Sequence, residues 1–297
     1  MTQQDTRKGV MMMVAVTFIF AMQDGISRHL SEAYNTYMIV MIRYWFFALF
    51  VIAMAARTRG GLRHAIRAKR PWLQALRGIL LVVQIYVIIF SFVQNGLINT
   101  HSVFICYPLI VAALSGPVLG EKVGWRRWTA IAVGFVGVII ILDPGKGLFT
   151  MGAVIPLLSA VIFAAYALLT AYVGHSDDGI VSFFWTGIVG VVFATLGGMF
   201  FWEPMSLGDW GWMALLCLTA TSGHYLMIRA YEMAEASALQ PIAYLQLVWG
   251  SILGMWAFGD VLHLHVAIGA AITVGAGLFT IWRARVKARQ ILMAQKD

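Results

Sequence analysis

Charge is what this sequence has least of. Only 11% of its 297 residues are charged, where a soluble chain of this size carries about 25% to face water. A water-exposed globular surface is therefore excluded. Cysteine is scarce as well: Cys106 and Cys217 are the two, and both fall within apolar runs, so no disulfide framework is expected. No GxxxxGK[ST] loop occurs, which removes the usual phosphate cradle and with it ATP-driven chemistry. His263 and His265 have no further metal ligands near them in sequence. Ser222 and His224 are two apart, a spacing that puts side chains on different faces of a helix and argues against a nucleophile–base pair. No cofactor, metal or enzyme activity is expected. A cleavable leader is not expected either, because the apolar run from Gly9 is not followed by a small-residue cleavage site.

What is present is apolar: 61% hydrophobic residues and a mean hydropathy of +0.81. A bilayer core takes about 20 apolar residues per helix. Reading at that length predicts ten membrane helices, at 9–30, 36–56, 73–95, 98–119, 125–142, 150–173, 179–202, 209–231, 236–258 and 264–283. Cytoplasmic loops retain Lys and Arg. With the N-terminus inside, eighteen of these residues fall on the inner side and only Lys146 outside, Arg28 and Arg43 lying within spans. Both termini are thus predicted to be cytoplasmic in a multi-pass protein of the cell (inner) membrane. The net charge of +8 follows this topology rather than a nucleic-acid stripe, and the basic stretch from Arg57 to Arg70 is available to anionic lipid headgroups.

The chain reads as two halves, 1–146 and 147–297. A shift of 139 residues lays Gly120-Glu121 on Gly259-Asp260 and Tyr86 on Tyr225, and a shift of 143 lays Ile19-Phe20-Ala21 on Ile162-Phe163-Ala164. Five helices per half is an odd number, so the halves enter the membrane in opposite senses. Such inverted repeats suit a central site that opens alternately to either side. The expected fold is an all-α integral membrane protein of ten transmembrane helices in two five-helix inverted repeats. Tyr107-Pro108, Gly120-Glu121, the spaced glycines Gly134 and Gly137, and their degenerate copy at Gly259-Asp260, Gly269 and Gly275 resemble the drug/metabolite transporter superfamily, in particular its EamA-like family. Within it, the first span and its Gln23-Asp24 pair look most like bacterial exporters of aromatic amino acids. The resemblance implies a secondary transporter with a small-molecule substrate, best matched by aromatic or neutral amino acids moving outward. Carriers of nucleotide-sugars, nucleosides or drug-like cations stay open beside it, as does a non-transporting scaffold. The oligomer is left as monomer or homodimer.

Polar groups at membrane depth mark candidate sites, because lipid offers them no partners. Arg77, Gln84, Ser91 and Asn95 share one helical face, and Gln240, Tyr244 and Ser251 another, with Gln246 nearby. Interior rings at Tyr86, Tyr107, Tyr166, Trp185, Tyr225, Tyr244 and Trp249 need partners for their O–H or N–H groups. Gln84, Tyr86, Tyr107, Tyr166, Trp185, His224, Tyr225, Tyr244 and Gln246 are the substrate-binding candidates, and Gln23, Asp24 and His101 the coupling or gating ones. Arg28, one turn on, is the expected partner of Asp24. Pro241 and Pro108 are expected to weaken their helices. Glu121 and Asp260 are expected to cap the fifth and tenth helices. Gly134, Gly137, Gly269, Thr273 and Gly277 are expected to be scaffold or a dimer face.

Overall fold

The computed structural model describes residues 3–58, 60–120, 124–142, 151–174, 176–233, 239 and 242–294. Among them every regular element is helical. The helices are α1 (Gln3–Ala33), α2 (Thr36–Arg57), a short α3 (Gly61–Ile66), α4 (Pro71–Phe104), α5 (Tyr107–Leu119) and α6 (Trp125–Leu142). They continue as α7 (Met151–Gly174), α8 (Gly179–Gly198), α9 (Leu207–Met233), α10 (Leu245–Phe258) and α11 (Leu264–Ala294). The expected half boundary, Glu121, Lys146, Gln240 and Pro241 lie outside the described residues.

Starts and stops follow local chemistry. The Asn35 side chain accepts from the Tyr37 amide at 2.9 Å, which caps α2. Pro71 and Pro108 stand in the first turns of α4 and α5, where a missing N–H costs nothing. Gly120 and Gly259 end α5 and α10 in the left-handed region, at φ 75° and 66°, the backbone that glycine adopts without a Cβ penalty. These are the two glycines that the 139-residue shift aligns.

By length and composition, seven helices among the described residues are apolar enough to cross a membrane: α1, α2, α4, α6, α7, α8 and α11. The ten expected spans map onto this set with definite differences. The third expected span and the start of the fourth run together in α4 across a kink at Gly96, at φ 75° and ψ 170°. The remainder of the fourth span is α5, and the ninth is the short apolar α10. α9 has 27 residues but does not reach the hydropathy of a spanning helix, consistent with its Asp209, Ser222, His224 and Arg229.

Helices pair as α1 with α9, α4 with α7, α2 with α8, and α6 with α11. α10 lies on α1 and α4, and α5 lies on α7. The largest core cluster joins α2 to α4 through Tyr44, Phe47, Val51, Val82, Ile89 and Phe92. α6 and α11 meet backbone to backbone. A Cβ on Gly137 would lie 2.6 Å from the Thr273 hydroxyl and 2.7 Å from the Gly269 carbonyl. These glycines are consumed inside the chain, as scaffold.

The two ends of the bundle are chemically distinct. At the end holding α3, Lys69 N donates to Asp177 at 2.8 Å, Gln74 Nε2 to the same carboxylate at 2.9 Å, and Trp185 Nε1 to the Ile66 carbonyl at 3.2 Å. The opposite end is acidic: Tyr34 Oη donates to Asp209 at 2.6 Å, and the Asn35 amide donates to Glu203.

Candidate functional site

Asp24 sits nine residues before the end of α1, about 13 Å along the axis at 1.5 Å per residue. Its side chain is 13% exposed. Gln246 Nε2 of α10 donates to Asp24 Oδ2 at 2.9 Å. His101 Nε2 of α4 lies 3.3 Å from the same oxygen, an ion-pair distance without hydrogen-bond alignment. Glycine makes room for this ring: a Cβ on Gly250 would stand 2.7 Å from His101 Cδ2. Three helices thus converge on one interior carboxylate, met by an amide donor and an imidazole. An amide donor and an unaligned imidazole hold this carboxylate less rigidly than a bidentate arginine pair would.

Arg28 is not the partner of Asp24. Its Nη1 donates to Asp260 Oδ1 at 2.8 Å, its Nε to Glu32 at 2.9 Å, and its guanidinium lies 4.2 Å from the Phe258 ring centre. Asp260 does not cap α11 either. Its Oδ2 accepts from the Leu97 amide at 2.7 Å, capping the helical stretch that restarts after the Gly96 kink. Gly96 must be glycine both for its positive φ and because a Cβ there would meet the Asp260 carboxylate at 2.7 Å.

The remaining candidates divide by location. Gln84 is buried and its Nε2 donates to Ser159 Oγ of α7 at 3.1 Å. Tyr107 packs edge-on against Phe163 at 4.7 Å, Tyr166 follows at 5.7 Å from Phe163, and Arg77 stands 5.6 Å over Tyr166. This forms a half-buried aromatic row between α5 and α7. His224 lies between Phe20 and Phe47 and lines a small cavity beside Arg43. Gln23 is buried with its Oε1 unpartnered among the described residues. Four candidates fall away from these groups. Tyr86 packs tilted against Tyr37 at 4.8 Å near the acidic end, and Trp185 holds α3. Tyr225 is 42% exposed. The Tyr244 hydroxyl presses on Gly277 of α11.

Sequence reasoning passed over the network at the α3 end. Arg77 donates to Ser182 O and to Thr186 Oγ1, the latter at 2.6 Å, and Gln74 bridges Asp177 and Ser182. The shared helical face of Arg77 and Gln84 carried the signal, but only Arg77's end of it ties α4 to α8.

A helical, multi-pass membrane bundle with ionisable groups gathered inside it has the build of a transporter. The chain belongs to the EamA-like transporter family, whose model matches residues 7–143 and again 150–282. It is similar to a protein of Rickettsia prowazekii named S-adenosylmethionine uptake transporter, at 23% identity over 88% of each chain. A protein of Vibrio cholerae named riboflavin transporter is 26% identical over 95% of this chain and 96% of its own. A protein of known crystal structure superposes with a TM-score of 0.62 at 15% identity, over 94% of this chain and 99% of the other, which is likeness of fold alone. The family and these names indicate a transporter of small metabolites rather than an enzyme.

Proposed function

We propose that the chain is a secondary carrier that moves a small, ring-bearing metabolite by alternating access, with Asp24 as its coupling carboxylate. The observation that carries this reading is the Asp24–Gln246–His101 meeting of α1, α10 and α4. An intramembrane carboxylate is costly enough to require a reason, and here it is held by groups that can let go.

The inverted-repeat reading draws support from the pairing pattern. Exchanging α1 for α7, α2 for α8, α4 for α9 and α6 for α11 turns the α1–α9 pair into α7–α4 and leaves α2–α8 and α6–α11 unchanged. Two matches to one family model agree with it. We read ten membrane passes, the fourth and ninth being the broken segments around α5 and α10, with both termini and α3 cytoplasmic. The Lys and Arg residues gathered at that end favour this orientation.

For substrate, the names of the relatives favour uptake of S-adenosylmethionine, or transport of riboflavin, over the outward aromatic amino acids that the sequence suggested. Adenine, flavin and indole share a flat ring that the Tyr107–Phe163–Tyr166 row suits. Proteoliposomes offered labelled S-adenosylmethionine, riboflavin and tryptophan, with and without a pH gradient, test this. Saturable, gradient-driven uptake of S-adenosylmethionine is the expected result. Uptake of none of the three by protein of correct fold sinks the reading.

A further inference from the structure

Arg43 is a charge in an unusual position. It lies in α2, seven residues from the helix start, with only 7% of its surface exposed. The described residues give it neither a hydrogen bond nor an ion pair. Its five N–H donors thus find no acceptor among the described residues and turn to the water-sized space beside the side chain. A buried arginine kept only for folding would be paired, as Arg77 is to Ser182 and Thr186. Arg43 instead faces a void about the size of one water molecule, lined by Tyr44, Phe47, Leu81, Ile85, Ala220 and His224. His224 Nδ1 is itself buried and unpartnered. On the other side, Asp24 is near enough to act electrostatically on Arg43.

The arrangement has three parts: a donor-only cation, an unsatisfied imidazole beside it, and a carboxylate within electrostatic reach. We propose that Arg43, with His224, is the anchor for a carboxylate on the substrate, so that the cargo carries an amino-acid group whose ammonium end faces Asp24. This rests on the carrier reading and narrows it. The guanidinium fork matches two carboxylate oxygens bidentately, and Phe47 and His224 flank the remainder. S-adenosylmethionine and tryptophan carry such a group; riboflavin does not.

The test uses the full-length protein in liposomes and detergent, with Arg43→Gln, Arg43→Lys and His224→Gln. Probes are S-adenosylmethionine and its carboxyl methyl ester, tryptophan and tryptamine, and riboflavin. The wild type is expected to take up S-adenosylmethionine at least about 10-fold faster than its ester, and R43Q to lose about 10- to 100-fold of that rate, the scale of a charge-assisted hydrogen bond. R43K is expected to recover part of it. Without substrate, R43Q is expected to melt at the same or a higher temperature than wild type, because it removes an uncompensated buried charge. S-adenosylmethionine is expected to raise the melting temperature of wild type only. Two results overturn the anchor while leaving the carrier intact: equal uptake of acid and ester, or riboflavin transport unaltered by R43Q with no carboxylate probe moved. A substrate-free R43Q that melts well below wild type overturns it too, since Arg43 would then be structural. Absence of uptake for every probe removes the carrier reading and the anchor together.

Discussion

Replacing Asp260 separates two jobs done by one carboxylate. One oxygen holds Arg28 at 2.8 Å and the other caps the helix that restarts at Leu97, at 2.7 Å. The Arg28 and Asp260 side chains are 11% and 12% exposed, so solvent screens the pair little. Breaking a buried pair by removing one partner costs about 3–5 kcal/mol. Arg28 keeps Glu32, but that side chain is 42% exposed and compensates only in part. Losing a cap adds about 0.5–2 kcal/mol. Asp260→Ala should therefore destabilise the fold by about 3–5 kcal/mol. Asp260→Asn keeps an oxygen for the Leu97 amide but turns its NH2 toward Arg28, so the pair is lost while the cap stays, and the loss should be smaller than alanine's by the cap's contribution of about 0.5–2 kcal/mol. Asp260→Glu should also be poor, since Cβ positions at Gly96 and Gly254 come within 2.7 and 2.8 Å of the carboxylate and leave no space for a longer chain. Denaturation in detergent, followed by tryptophan fluorescence, gives the order. A cycle with Arg28→Ala isolates the pair, and the double variant should lose less than the sum of the singles. Equal losses for the Asn and Ala variants, or an additive cycle, would refute the division of labour.

Other outcomes follow from single contacts. Gly137→Leu should force α6 from α11 and lower stability by about 1–3 kcal/mol or more, measured by the same denaturation; an unchanged midpoint contradicts the backbone contact. Gln84→Ala removes one hydrogen bond to Ser159, worth about 0.6 kcal/mol between membrane helices, and should leave transport within about twofold; a loss of apparent affinity would return Gln84 to the site. Gly250→Ala should push the His101 ring off Asp24 and slow transport without unfolding the protein. In a cysteine-free background, single cysteines at 60 and 290 should resist labelling from outside intact cells while one at 146 reacts; the reverse pattern inverts the topology.

Much of the fold was legible because membranes impose few rules. Length, hydropathy and the placement of Lys and Arg announce a membrane bundle, and the paired glycines Gly120 and Gly259 turned out to share one role as left-handed helix ends. Asp24, His101 and Gln246 were each visible as polar groups at depth, yet nothing in the sequence says that they meet. Long-range pairing is what the linear pattern hides. Asp260 caps a helix start 163 residues earlier, and Arg28 prefers that distant carboxylate to Asp24 one turn away. Rings are equally ambiguous in sequence: Tyr107 joins an aromatic row, Trp185 ties down α3, and Tyr244 turns to α11. A polar group at depth advertises a partner without saying which helix supplies it. The break at Gly96 falls between the third and fourth expected spans, where the polar Gln94-Asn95 pair precedes the glycine.

The central claim is that Asp24 couples a gradient to movement of the cargo. Its most direct test compares wild type with Asp24→Asn in liposomes, measuring labelled S-adenosylmethionine both in counterflow against internal unlabelled substrate and in accumulation under an imposed pH gradient. Asparagine keeps an oxygen for Gln246 but carries no titratable charge. Wild type should do both, and D24N should retain counterflow while losing accumulation against a gradient. Accumulation by D24N at the wild-type level would contradict the account.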